Sequence, residues 1–140
     1  MARKKKTLLV PVDGSDTALR ALRHVLGRLR AGGFDDVVAL NAQVPMRASQ
    51  FVTQRMIEEH HESLSEEALE PARRLAAKFD VKLTCAVANA NPAEAIVNFA
   101  RKRDEIVMGT RGLGRVGNLL MGSVATRVAH LAEVPVTLVT

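Results

Sequence analysis

The feature that most constrains this chain is an alternation of two hydrophobic periods that runs from one end to the other. Short apolar runs of strand length, at residues 8–12, 37–40, 81–87, 105–109 and 134–139, alternate with stretches whose apolar residues recur at helical spacing. The first helical stretch carries Leu19, Leu22, Leu26 and Leu29, and Gly32-Gly33 stops it where a left-handed cap belongs. The polar segment from Gln50 to Phe79 places Ile57, Leu64, Ala68, Leu75 and Phe79 on one face, with Pro71 expected to kink or divide that helix. Asn91-Pro92-Ala93-Glu94 combines a capping residue, Pro at the first helical position and a capping-box Glu, opening a helix expected to run to Arg103. A last helix is expected over residues 123–131. Strands that alternate with helices imply a parallel sheet covered on both faces, because right-handed crossovers put the helices there. The expected class is α/β, an open five-stranded parallel sheet in the order 3-2-1-4-5.

Composition narrows what such a sheet can be for. The 140 residues make one ordinary domain, residues 1–140, with a basic tail at 1–6. Arg3, Lys4, Lys5 and Lys6 carry most of the net charge of +5, so the remainder is close to neutral. With no Trp, no Tyr and four Phe, the chain lacks the aromatic platform that single-stranded nucleic acid uses, and the tail reads as a solvated end. No nucleic acid partner is expected. The single cysteine, Cys85, excludes an intramolecular disulfide framework and a cysteine-rich zinc site. No apolar run reaches the roughly 20 residues of a membrane helix. The apolar stretch after the basic start is too short for a secretory signal, so no membrane is expected and the cytoplasm is the expected compartment.

In a sheet of this order, ligands bind beyond the carboxyl ends of the strands where strand order reverses, between strands one and four. Those two strands lead into the most polar glycine-bearing loops of the chain, Asp13-Gly14-Ser15 and Gly109-Thr110-Arg111-Gly112. The second loop continues to Gly122-Ser123, where the last helix begins and its free amide donors and positive dipole end point outward. Glycines there admit a close ligand, and the Ser123 hydroxyl with the Arg111 and Arg115 guanidinium groups completes a cradle for a polyphosphate. Taken from composition alone, a flexible connector explains the loop equally well.

The spacing favours the cradle through a family resemblance. A glycine, two residues, a second glycine, nine residues, then glycine with Ser is met by Gly109, Gly112 and Gly122-Ser123. This resembles the signature of the ATP-binding branch of the universal stress protein family. The opening Leu9-Val10-Pro11-Val12-Asp13-Gly14-Ser15 and the closing Val134-Pro135-Val136-Thr137-Leu138-Val139 look like that family's first and last strands. The resemblance spans the whole chain and implies an adenine-nucleotide alpha-hydrolase-like fold that binds ATP. It implies that Pro11, Val12 and Asp13 contact the adenosine, that Ala42 packs on the adenine, and that Met108 and Gly109 line the ribose. It places the phosphates on Gly112, Gly122, Ser123 and Val124, with Mg²⁺ or Mn²⁺ held mainly through them. It further implies a homodimer through strand five, Val136–Val139.

Two positions depart from the pattern. Ala125 stands where ATP-binding relatives often carry Ser or Thr, and Ala90-Asn91 replaces a frequent Gly-Asp. The expected function is therefore an ATP-binding, nucleotide-dependent stress-response regulator with slow hydrolysis at most. A nucleotide-free dimeric interaction module and a weak metal-dependent ATPase are the other readings. Asp13 also reads as a carboxylate favoured by a helix N-terminus.

Other motifs carry less. Gly112-Leu113-Gly114-Arg115-Val116-Gly117 fits a dinucleotide fingerprint but follows the fourth strand, and Glu133 precedes the fifth strand where that fingerprint's acid ends the second. His60-His61-Glu62 reads as part of a solvated helix face with Glu58, Glu59, Glu66 and Glu67. Cys85 reads as a small buried hydrophobe. No nucleophile–base pair is visible, so no catalytic residue is assigned.

Overall fold

The computed structural model describes residues 4–111 and 121–140. Its strands are β1 (Thr7–Pro11), β2 (Asp36–Gln43), β3 (Thr84–Asn89), β4 (Glu105–Gly109) and β5 (Val136–Val139). They pair in the order β3-β2-β1-β4-β5, and every pairing is parallel. Between them run α1 (Asp16–Arg30), α2 (Gln54–Lys78), α3 (Pro92–Ala100) and α4 (Ser123–Leu131).

The near-continuous apolar strands are explained by burial on both faces. Leu8 and Val10 of β1 point to one side, into a core shared with Leu22, Val25 and Leu26 of α1 and Leu69 and Ala72 of α2. Leu9 points to the other, into a core with Ile96 of α3, Ile106 of β4 and Val128 of α4. Period-two alternation along one strand thus separates the two layers.

The first three helices begin where a side chain supplies an acceptor. Ser15 Oγ accepts from the Ala18 amide at 3.2 Å, Thr53 caps α2 through the Met56 amide, and Asn91 Oδ1 accepts from the Glu94 amide at 3.2 Å. Gly32 ends α1 with φ +83°, and the Gly33 amide reaches back to the Arg28 carbonyl at 3.0 Å. The Gly32-Gly33 stop and the Asn-Pro start are where the sequence places them.

Several boundaries differ from expectation. The third strand lies at Thr84–Asn89, not 81–87, because its ladder matches Val38–Gln43 of β2; Val81 and Leu83 still pack on the core without joining the sheet. α2 runs through Pro71 undivided. Its buried face carries Ile57, Ala68 and Leu75 as expected, but Ser65 is buried while Leu64 is 38% exposed. Buried Asn41 and Gln43 on β2 need hydrogen-bond partners, and Ser65 supplies one to each, which fixes the helix rotation. α3 ends at Ala100, and β5 begins at Val136, two residues later than the apolar run.

Candidate functional site

Chain order reverses between β1 and β4, and the loops leaving their carboxyl ends bound a cavity of about 280 Å³. On the β1 side, Val12 is buried, and its carbonyl accepts from Asn41 Nδ2 at 2.8 Å. The turn that follows needs Gly14, whose φ is +89°. Asp13 Oδ1 accepts from the Ser15 amide at 2.9 Å, so this carboxylate shapes the entry to α1 while facing the cavity. The helix start and a ligand contact are compatible uses of one side chain.

On the β4 side, Met108 is 5% exposed and shares the core of Leu9 with Leu40 and Ile96. Gly109 allows α1 to approach: a Cβ there would stand 2.6 Å from Thr17 Cγ2. Thr110 then joins three elements. Its amide donates to the Val139 carbonyl at 2.9 Å, and its carbonyl accepts from the Gly122 amide at 2.6 Å. Its own side chain is almost wholly buried, yet Oγ1 has no hydrogen-bond partner among the described residues. Arg111 Nε is likewise buried and without a partner among the described residues. Two orphaned polar groups beside one cavity are costly unless something fills it.

The far wall is the start of α4. Gly122 is its N-cap and, among the described residues, no side chain caps it, so the positive end of the helix faces the cavity. Ser123 is exposed, Val124 is half-buried and Ala125 is buried, all three lining the cavity. The Thr126 hydroxyl is turned back onto the Gly122 carbonyl at 2.9 Å. Ala42 of β2 and Pro92 of α3 close the apolar end. The cavity is therefore apolar at one end and rich in donors at the other.

A model of the universal stress protein family matches residues 5–140. The chain belongs to the universal stress protein family. This universal stress protein is 34% identical over 143 residues to a universal stress protein of Methanocaldococcus jannaschii, spanning 96% of this chain and 81% of that one. A solved universal stress protein of Lactobacillus plantarum shares the fold with a TM-score of 0.84 at 19% identity, over 99% of this chain and 100% of the other. Another, solved in complex with cAMP, has a TM-score of 0.73 at 24% identity, over 99% of each chain.

In this universal stress protein the expected site residues Pro11, Val12, Asp13, Ala42, Met108, Gly109, Arg111, Gly122, Ser123 and Val124 all stand around the one cavity. Gly112 and Arg115 lie outside the described residues, as does the stretch 113–117 of the dinucleotide-like pattern. Sequence reasoning missed Thr110. Strand alternation from Met108 carries it to the same face, which was the available signal. It also missed that Ser15 caps α1 at the cavity edge. Elsewhere, Glu133 is exposed and pairs with Arg101 at 3.7 Å. Among the described residues no group of three His, Cys, Asp or Glu side chains is placed to hold a metal ion, and no helix is long and apolar enough to cross a membrane.

Proposed function

We propose that this protein binds ATP in the cavity beyond β1 and β4 and acts as a nucleotide-dependent regulator of the stress response. The observation that carries the reading is the donor-rich end of the cavity: among the described residues no side chain caps the α4 N-terminus, and the nearby Thr110 hydroxyl and Arg111 Nε have no partner. Such donors match phosphate oxygens. The apolar end between Ala42, Leu40 and Ile96 suits an adenine ring held by aliphatic packing and backbone groups. The cAMP complex of a protein with this fold supports an adenine nucleotide in the family.

In this reading Asp13 accepts from the ribose or base, Met108 and Gly109 flank the sugar, and Gly112, Gly122, Ser123 and Val124 hold the phosphates. Mg²⁺ or Mn²⁺ enters with the phosphates. Asp13 is the one carboxylate among the cavity's described lining residues, so phosphate and water oxygens fill most of the cation's shell. No histidine stands beside it there, so hydrolysis, where it occurs, is slow and lacks a dedicated base.

We place the protein in the cytoplasm as a single domain and a homodimer. β5 is an edge strand, half-exposed along its whole length, and a second copy pairing there would satisfy its free backbone groups. One observation favours a nucleotide-free interaction module instead: Ala125 presents a methyl group where a hydroxyl would serve a phosphate.

Calorimetric titration with ATP and Mg²⁺ separates the two readings. The unaltered chain should bind one ATP, and Gly122→Val, which blocks the phosphate approach, should weaken binding at least tenfold. Unchanged affinity in that variant would overturn the placement.

A further inference from the structure

The hydrogen-bond ladder between β1 and β2 is interrupted at the residue where it meets the cavity. Its register pairs Thr7 with Asp36 and Pro11 with Leu40, so Val12 comes next, opposite Asn41. In a parallel ladder of that register the Val12 amide donates to the Leu40 carbonyl, and the Val12 carbonyl accepts from the Ala42 amide. The first bond is present, at 2.8 Å. In place of the second, the Val12 carbonyl accepts from the Asn41 side chain, through Nδ2, at 2.8 Å.

That side chain is held in its orientation from the α2 side. Asn41 is 4% exposed, and its Oδ1 accepts from Gln43 Nε2 at 2.8 Å and from Ser65 Oγ at 3.3 Å. Both donors are themselves buried. With Oδ1 engaged twice, the amino group of the same carboxamide is left to face Val12.

The consequence falls on Ala42. Backbone groups of successive strand residues point alternately to the two neighbouring strands. The Leu40 carbonyl faces β1, whereas the Gln43 carbonyl, which accepts from the Ala90 amide at 2.9 Å, faces the β3 side. Ala42 therefore presents its N–H and its C=O toward β1, past that strand's last paired residue, Pro11. Among the described residues no hydrogen bond reaches either group. Ala42 lines the apolar end of the cavity, so both groups are available to a ligand there.

We infer that Asn41 is a positioning residue for the nucleotide base, on the reading that the cavity holds ATP. By occupying the Val12 carbonyl, its side chain keeps the Ala42 N–H and C=O open as a donor and an acceptor side by side. Adenine offers the matching pair, an exocyclic amino group that donates and a ring nitrogen that accepts. Guanine reverses it, with a carbonyl oxygen and a ring N–H at the same edge. Against Ala42, guanine sets acceptor on acceptor and donor on donor, leaving buried polar groups unpaired. Asn41 itself touches no base in this arrangement and acts through Val12 and Ala42.

Amide hydrogen exchange on the ligand-free protein, followed by titrations with ATP and GTP, tests the role. In the unaltered chain the Ala42 amide should exchange at least tenfold faster than those of Asn41 and Gln43, which face the β3 ladder. Asn41→Leu keeps a branched shape and removes the amino donor, while Gln43 and Ser65 retain their own bond at 2.7 Å. The Val12 carbonyl then accepts from Ala42, and that amide should slow at least tenfold. The unaltered chain should favour ATP over GTP at least tenfold, and Asn41→Leu should bring the ratio below about threefold. A general loss of stability would weaken both nucleotides alike and leave the ratio unchanged. A slowly exchanging Ala42 amide in the unaltered chain, or an undiminished ratio in Asn41→Leu, would overturn the role of Asn41. Failure of both nucleotides to bind, with the exchange contrast intact, would overturn the ATP reading alone and still assign the opening of Ala42 to Asn41.

Discussion

A Cβ at Gly109 would stand 2.6 Å from Cγ2 of Thr17 and 3.1 Å from the Thr17 backbone carbon. The glycine at the end of β4 is thus required by the first turn of α1, whatever its use toward a ligand. Gly109→Ala should destabilise the fold by about 1–3 kcal/mol, the usual range for overpacking. Thr17→Ser removes Cγ2 and keeps the hydroxyl that accepts from Arg20 at 3.0 Å. Added to Gly109→Ala it should restore part of the loss, which urea unfolding of the four proteins would measure as a coupling.

Glu105 at the start of β4 binds Arg28 at 2.8 Å and the Thr137 hydroxyl at 2.8 Å, joining α1 and β5 to the sheet. Partial burial raises its carboxyl pKa, but hydrogen bonds from Arg28 and Thr137, with the Arg28 and His24 charges, outweigh that and hold it below the ordinary glutamate value. A lowered folded pKa contributes stability that is fully present above the unfolded value, about 4.3, and is lost as pH falls through the folded one. Glu105→Gln should cost about 1–2 kcal/mol at neutral pH. The difference between the two proteins should shrink below about pH 4, as acid-range urea titrations would register.

Asn41 is 4% exposed and serves both layers of the site: Nδ2 holds the Val12 carbonyl, while Oδ1 accepts from Gln43 and Ser65. Asn41→Ala removes three buried hydrogen bonds at once. A loss of about 2–4 kcal/mol is expected, measurable as a lowered urea midpoint.

Leu64 supplies the contrasting case. It is 38% exposed although it sits on the helical repeat with Ile57 and Ala68. Leu64→Gln should change stability by no more than about 0.5 kcal/mol, whereas Leu69→Ala, at a 2% exposed position, should cost about 2–5 kcal/mol. Thermal unfolding distinguishes them readily.

These residues also mark how far the sequence could be read. The sheet order and the helix starts at Asn91 and the stop at Gly32 were legible, because each follows from local chemistry or from handedness that applies to any such chain. The gathering of Asp13 and Gly122 at one crevice followed from the same topology, while Ala42 and Met108 were expected there from the family resemblance. What escaped depended on partners distant in sequence. Ser65 replaces Leu64 in the core because Gln43, 22 residues away, needs it. The third strand is displaced toward Asn89 because the ladder with β2, not apolarity, sets its limits. Thr110 drew no notice between Gly109 and Arg111, since an unpartnered hydroxyl appears only once its surroundings are closed.

The central claim is that the cavity beyond β1 and β4 holds ATP, and the most direct measurement is recovery of the nucleotide itself. The protein is incubated with ATP and Mg²⁺, freed of unbound nucleotide by rapid gel filtration, denatured, and its released small molecules are separated by ion-pair chromatography. The account predicts adenine nucleotide close to one per chain, reduced at least tenfold in Gly122→Val. A chain that releases none, with Gly122→Val indistinguishable from it, would contradict the account and leave the donor-rich end of the cavity to another ligand.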